Sequence, residues 1–175
     1  MVGVKRFFIL IVSILLCFFL QFVILMRVPG LITVPNLLLV CTVSLGFLYG
    51  KADGLLAGLV SGLLMDLLGS GVPGFYTLIL SVLGYLNGML SEKIESEMIL
   101  LLFVLFAVNE LLFHLYEYVF AFLIRKSFVP GVYIREVVLP ELLLSLIGFL
   151  VIYGILVFIS KRWDLRVNKG EIRIV

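Results

Sequence analysis

The sequence predicts an all-α, polytopic membrane protein built as one domain over residues 1–175, and three observations predict it. Of its 175 residues 63% are hydrophobic and only 14% charged, against about 25% charged in a water-soluble domain. Apolar runs recur along the whole chain, separated by short turns. The remaining positive charge is biased to one side of the membrane those runs imply. The longest polar pieces are the tail 161–175 and the loop 125–136, too short for a water-soluble module.

The runs fall at about 7–26, 31–50, 54–68, 75–91, 98–124 and 137–160. A helix needs about 20 residues to cross about 30 Å of hydrocarbon, and four of the six are sufficient alone. The 54–68 run is short and 75–91 slightly so, which local thinning of the bilayer accommodates. The first run has an apolar core longer than the roughly 7–15 residues of a secretory signal, and no Ala precedes Ala52 to make a small-residue cleavage site. It is therefore expected to be a retained span. The second begins near Pro35, which lacks an N–H and is tolerated early in a helix. In the third, Gly58-x-x-x-Gly62 leads to Asp66, and Gly69-Ser70-Gly71-Val72-Pro73-Gly74 forms a tight reversal before the fourth.

Six transmembrane helices place both termini on one side. That side carries Lys5, Arg6, Lys51, Lys93, Lys161, Arg162, Arg166, Lys169 and Arg173, and the other carries Arg27, Arg125, Lys126 and Arg135. The bias places both termini in the cytoplasm, with Trp163 as an interfacial anchor after the last span.

The glycines recur at a spacing of four: Gly46 and Gly50, then Gly54, Gly58 and Gly62, then Gly84 and Gly88. Each set shares a helix face that allows close backbone approach, and packing within the chain is expected rather than a dimer seam. Cys17 and Cys41 lie in apolar spans and are expected to be inert thiols. The apolar segment Ser127 to Ile134, with Phe128 near its start, is expected to lie along the membrane surface.

Ionisable residues at membrane depth are expensive and mark sites. Asp66 is one; Glu110, His114 and Glu117 are three more, at i, i+4 and i+7 on one face of the fifth span. Asp66 and Glu110 both lie about 18 Å from the cytoplasmic start of their helices. A polar cluster is therefore expected in the outer half of the membrane, joining the third, fifth and sixth spans, with Arg125, Arg135 and Glu141 near its edge and opposite-sign pairing lowering the cost of burial. Asp66 suits a helix-end or inter-helix hydrogen bond, and Asn36 and Asn87 suit bonds to neighbouring helices. A single His with separated carboxylates falls short of a metal set, so no metal, cofactor or catalytic residue is expected. A proton relay remains open at this point. No Gly-x-x-x-x-Gly-Lys-Ser/Thr phosphate loop is present, and a net charge of +2 implies no nucleic-acid partner.

The string Pro35-Asn36-Leu37, then Gly58-x-x-x-Gly62-Leu63-Leu64-Met65-Asp66-Leu67, then Gly74-Phe75-Tyr76-Thr77-Leu78 resembles the bacterial MreD family of rod shape-determining proteins over about residues 29–92. The resemblance implies a non-catalytic subunit of the cell-elongation machinery in the cytoplasmic (inner) membrane, supporting peptidoglycan synthesis. Its implied partner is MreC, with MreB, RodA and a penicillin-binding transpeptidase reached through the complex. It also implies an architecture similar to the substrate-binding subunits of energy-coupling-factor transporters. Pro35, Asn36, Gly58, Gly62, Asp66 and Gly74 carry the family motif, whereas Glu110, His114, Glu117 and Phe128 are candidate partner-contact residues read from this chain alone. The alternative is a vitamin-type binding subunit of a transporter. Such subunits dock their coupling partner through an alanine-rich first span, and Phe7 to Met26 contains no Ala.

Overall fold

A charge-free run such as Leu37–Tyr49 has no polar face to turn outward, and the fold is assembled around it. In the computed structural model, which describes residues 2–27, 33–68, 73–91, 99–125 and 130–162, all 13 residues of this helix are buried. In chain order the helices are α1 (Val2–Phe19), α2 (Leu37–Tyr49), α3 (Lys51–Leu67), α4 (Phe75–Ser91), α5 (Ile99–Arg125), the single turn α6 (Pro130–Tyr133) and α7 (Leu139–Arg162). No strand occurs among the described residues. Helix α2 packs against α1, α3, α4 and α7 and touches α5. At 13 residues it is about 20 Å long, short of a bilayer's hydrocarbon thickness. Protein rather than lipid surrounds it.

Three stretches are long and apolar enough to cross a membrane: Lys5–Arg27, Leu100–Phe120 and Gly131–Arg162. Leu37–Tyr49 and Phe75–Ser91 are shorter apolar helices. The expected second span at 31–50 is corrected by the structure. Residues 33–36 are not helical, and Asn36 is the N-cap, its side-chain oxygen accepting from the Leu39 N–H at 3.1 Å. The expected third span also starts earlier than 54, because Gly50, at φ +93°, turns the chain directly from α2 into Lys51.

Of the segment expected along the membrane surface, the part from Pro130 onward is helical, and a π-helical turn, Ile134–Val138, carries it into α7. Pro140 has no N–H to donate four residues back, and the widened turn lies immediately before it. Phe128 and Trp163 lie outside the described residues.

Helices α2, α3 and α4 meet backbone to backbone. A Cβ added to Gly46 would stand 2.8 Å from the Gly84 carbonyl oxygen, and one at Gly54 would stand 2.9 Å from the Gly46 Cα. At Gly58 it would collide with the backbone of Leu80, and at Gly62 with Thr77. The four-residue glycine spacing thus serves packing within the chain, and Thr42 Oγ1 adds a hydrogen bond to Ser61 Oγ at 3.1 Å. Cys17 and Cys41 are buried free thiols that lie side by side.

The second half packs through side chains instead. Phe106 on α5 stacks on Phe149 of α7 with ring centroids 4.7 Å apart, and Phe149 on Tyr153 at 5.3 Å. Tyr76 of α4 stacks on Phe113 of α5 at 5.9 Å. Asn87 of α4 and Asn109 of α5 exchange amide hydrogen bonds of 2.6 and 3.0 Å, the inter-helix role expected of Asn87.

Candidate functional site

A helix N-terminus leaves N–H groups unpaired, and inside a membrane protein each must find an acceptor. Asp66, in the last turn of α3, supplies one for α4. Its Oδ2 accepts from Gly74 N (3.0 Å), Thr77 N (3.2 Å) and Thr77 Oγ1 (2.6 Å), and its Oδ1 from Tyr76 N (2.9 Å). Gly74, at φ +86°, bends the chain to present these donors. A carboxylate here also matches the positive end of the α4 dipole. The Asp66 and Gly74 motif positions therefore act together, fastening the end of the glycine seam.

The start of α2 is satisfied differently. Its Leu38 N–H donates to Gln21 Oε1 at 3.1 Å, and the Asn36 N–H to Ser145 Oγ at 2.9 Å. Gln21 sits in a π-helical turn, Leu20–Ile24, that prolongs α1. Pro35 precedes the cap. Its carbonyl accepts from the Leu37 N–H at 2.9 Å.

Glu110, His114 and Glu117 do share one face of α5, and that face turns inward. Glu110 is fully buried and His114 is 2% exposed, whereas Glu117 is partly exposed. Glu141, expected near the edge of the cluster, enters it from the first turn of α7, and the structure adds Tyr133 from α6. His114 Nε2 stands 3.8 Å from Glu110 Oε1 and 3.9 Å from Glu141 Oε2, and Nδ1 stands 3.6 Å from Glu117 Oε2. Tyr133 OH donates to Glu117 Oε2 at 3.3 Å and lies 3.5 Å from His114 Nδ1. Tyr76 OH donates to Glu117 Oε1 at 3.0 Å.

The expected cluster is thus present with two corrections. Asp66 does not meet the fifth-span face directly; Tyr76 joins them, its N–H bound to Asp66 and its hydroxyl to Glu117. Nor is the cluster balanced by opposite charge. Among the described residues no Lys or Arg pairs with Glu110, Glu117 or Glu141, and Arg135 is exposed. Three carboxylates surround one imidazole.

Both Glu110 oxygens and His114 Nε2 are buried without a hydrogen bond, and Ser145 faces Glu110 without bonding it in normal geometry. Donor atoms of Glu110, His114 and Glu141 lie within 4.8 Å of one another. Beside the cluster is a laterally open apolar cavity of about 290 Å³, lined by Leu111, His114, Leu115, Tyr118, Tyr133, Ile134 and Val138.

Tyr133 was the least legible member. It lies immediately before the irregular turn that leads into α7, where sequence periodicity gives no facing. Ser145 and Gln21 are missed for the same reason as most membrane hydroxyls and amides: their value lies in a partner on another helix.

An all-helical body with three membrane-length apolar helices and a buried polar cluster defines an integral membrane protein without a recognisable catalytic constellation among the described residues. The sequence model of the rod shape-determining protein MreD matches residues 2–162, and the chain belongs to that family, whose role is in determining rod shape. Neither a curated protein nor a solved structure matches the chain.

Proposed function

We propose that this protein is a non-catalytic scaffold of the bacterial cell-elongation machinery, which binds MreC in the cytoplasmic membrane and supports peptidoglycan synthesis. MreB, RodA and a penicillin-binding transpeptidase join it through that complex. All six long helices traverse or line the membrane, with both termini in the cytoplasm. An architecture like that of energy-coupling-factor substrate-binding subunits belongs to the same reading.

The observation that carries this reading is the family match over residues 2–162. The physical argument beside it is the contrast between a sealed interior and a lateral cavity. Lipid-phase partners associate by close packing and few hydrogen bonds. Leu111 and Leu115, 50% and 57% exposed, border a groove on α5 that suits one apolar helix. Binding of the MreC helix is assigned to that face.

Depletion of the protein in a rod-shaped host is expected to round the cells, and MreC is expected to copurify with it. Leu111→Trp combined with Leu115→Trp fills the groove and is expected to abolish copurification. Rod-shaped growth after depletion would reject the elongation role. Copurification unchanged by the double substitution would reject the face.

A further inference from the structure

We propose that Glu110, His114 and Glu141 bind one divalent transition-metal ion, Zn²⁺ being the best match to their donors. The two long helices α5 and α7 bring these side chains together from opposite sides of one interface. Glu110 and His114 are one helical turn apart on α5, and Glu141 faces them from the first turn of α7. Their donor atoms lie within 4.8 Å of one another. With the two His–Glu separations at 3.8 and 3.9 Å, a central point lies roughly 2.5 Å from each atom, and small side-chain rotations bring it to the ~2.0–2.2 Å of Zn–N and Zn–O bonds.

A buried, poorly satisfied Glu110–His114 pair points to a ligand. Glu110 is fully buried, yet neither of its carboxylate oxygens meets full hydrogen-bond geometry, the Ser145 hydroxyl being at most a weak donor to it, and His114 Nε2, equally buried, only faces Glu110 Oε1 at 3.8 Å. Unsatisfied polar atoms at this depth are costly, and here they converge on one another. The other imidazole nitrogen is already occupied: Nδ1 faces Glu117 Oε2 at 3.6 Å and Tyr133 OH at 3.5 Å. With an ion at Nε2, Nδ1 carries the proton and faces these two acceptors. This is the carboxylate–histidine–metal relay common to protein metal sites, with Glu117 as the orienting group.

Charge favours the same conclusion. Two carboxylates and a neutral imidazole neutralise a divalent cation outright, in a region where no described Lys or Arg pairs with them. A mixed N/O set of three suits Zn²⁺ and disfavours Mg²⁺ and Ca²⁺, which take six or more oxygens. A bound ion clips α5 to α7 behind the lateral cavity, so its presence sets the spacing of that groove. The site stands on its own residues and does not depend on the proposed MreC binding.

The test uses the full-length, tag-free protein in lipid nanodiscs, stripped with chelator and re-equilibrated with buffered zinc sulfate. Elemental analysis is expected to find one Zn²⁺ per chain, with a rise in melting temperature that magnesium does not give. His114→Ala and Glu110→Gln are expected to abolish retention, Glu117→Gln to weaken it about ten-fold, and the exposed Glu136→Gln to leave it unchanged. Should the buried variants not fold, zinc-edge X-ray absorption of the wild type decides. One imidazole nitrogen with oxygens at about 2.0–2.1 Å supports the site; a sulfur shell, which would place the ion at Cys17 and Cys41, overturns it. No retained ion in the wild type, or retention unchanged by His114→Ala, overturns it as well.

Discussion

The two halves of the molecule are held together by opposite means. Helices α2, α3 and α4 pack through absent side chains, so that carbonyls and Cα atoms of neighbouring helices meet at Gly46, Gly54, Gly58, Gly62 and Gly84. Helices α5 and α7 meet through large ones: the rings of Phe106, Phe149 and Tyr153 and the ionisable group around His114. A backbone seam admits one geometry, because nothing along it can change rotamer. A side-chain interface tolerates adjustment, and it gathers three carboxylates around one imidazole. The difference separates a half built as frame from a half that holds the buried ionisable cluster and the cavity beside it.

The largest effect is expected where the frame has no slack. Gly58→Leu drives a side chain into the Leu80 backbone, and a cost of about 3 kcal/mol or more follows because no rotamer relieves it; loss of the folded fraction in a thermal-melting assay checks this. Asp66→Ala removes the acceptor for three N–H groups and the Thr77 hydroxyl. A loss of about 2–3 kcal/mol is expected, and Asp66→Asn, which keeps one acceptor oxygen, should recover part of it. The amide pair bridging the halves is worth less. A double-substitution cycle of Asn87→Leu and Asn109→Leu is expected to return a coupling of about 1 kcal/mol by equilibrium unfolding in detergent. Smallest of all is Gly154→Ala on α7, where a Cβ would meet nothing within 4 Å, so a melting temperature within about a degree or two of the wild type is expected. A large loss at Gly154 together with a mild one at Gly58 would erase the contrast between the halves.

The frame was readable because its signals are local. A spacing of four between glycines states a shared face without any partner being known, and the Asp66…Gly74 element announces a helix end followed by a turn. The Asn36 cap was equally visible as an Asn before an apolar run, although its side chain was expected to reach a neighbouring helix. Helix lengths were less legible. The run 31–50 is continuous in hydropathy, yet Pro35 and Asn36 delay the helix to Leu37, a choice made by the tertiary contacts of Ser145 and Gln21. In the second half, i, i+4, i+7 spacing placed Glu110, His114 and Glu117 on one face correctly. It placed Glu141 only near the cluster's edge and gave no means of seeing Tyr133, since the π-helical turn at Ile134–Val138 breaks the periodicity between them. The expectation of pairing with Arg125 or Arg135 followed from the cost of buried charge. The turn instead leaves Arg135 exposed, and the side chain of Arg125 is outside the described set.

The central claim is a division of labour, with stability in the glycine-packed frame and function on the α5–α7 face. Cell width in a depleted rod-shaped host, complemented with Leu111→Trp/Leu115→Trp at matched membrane abundance and matched melting temperature, tests it most directly. Round cells carrying a fully folded variant are the predicted result. Rods of normal width would contradict the account.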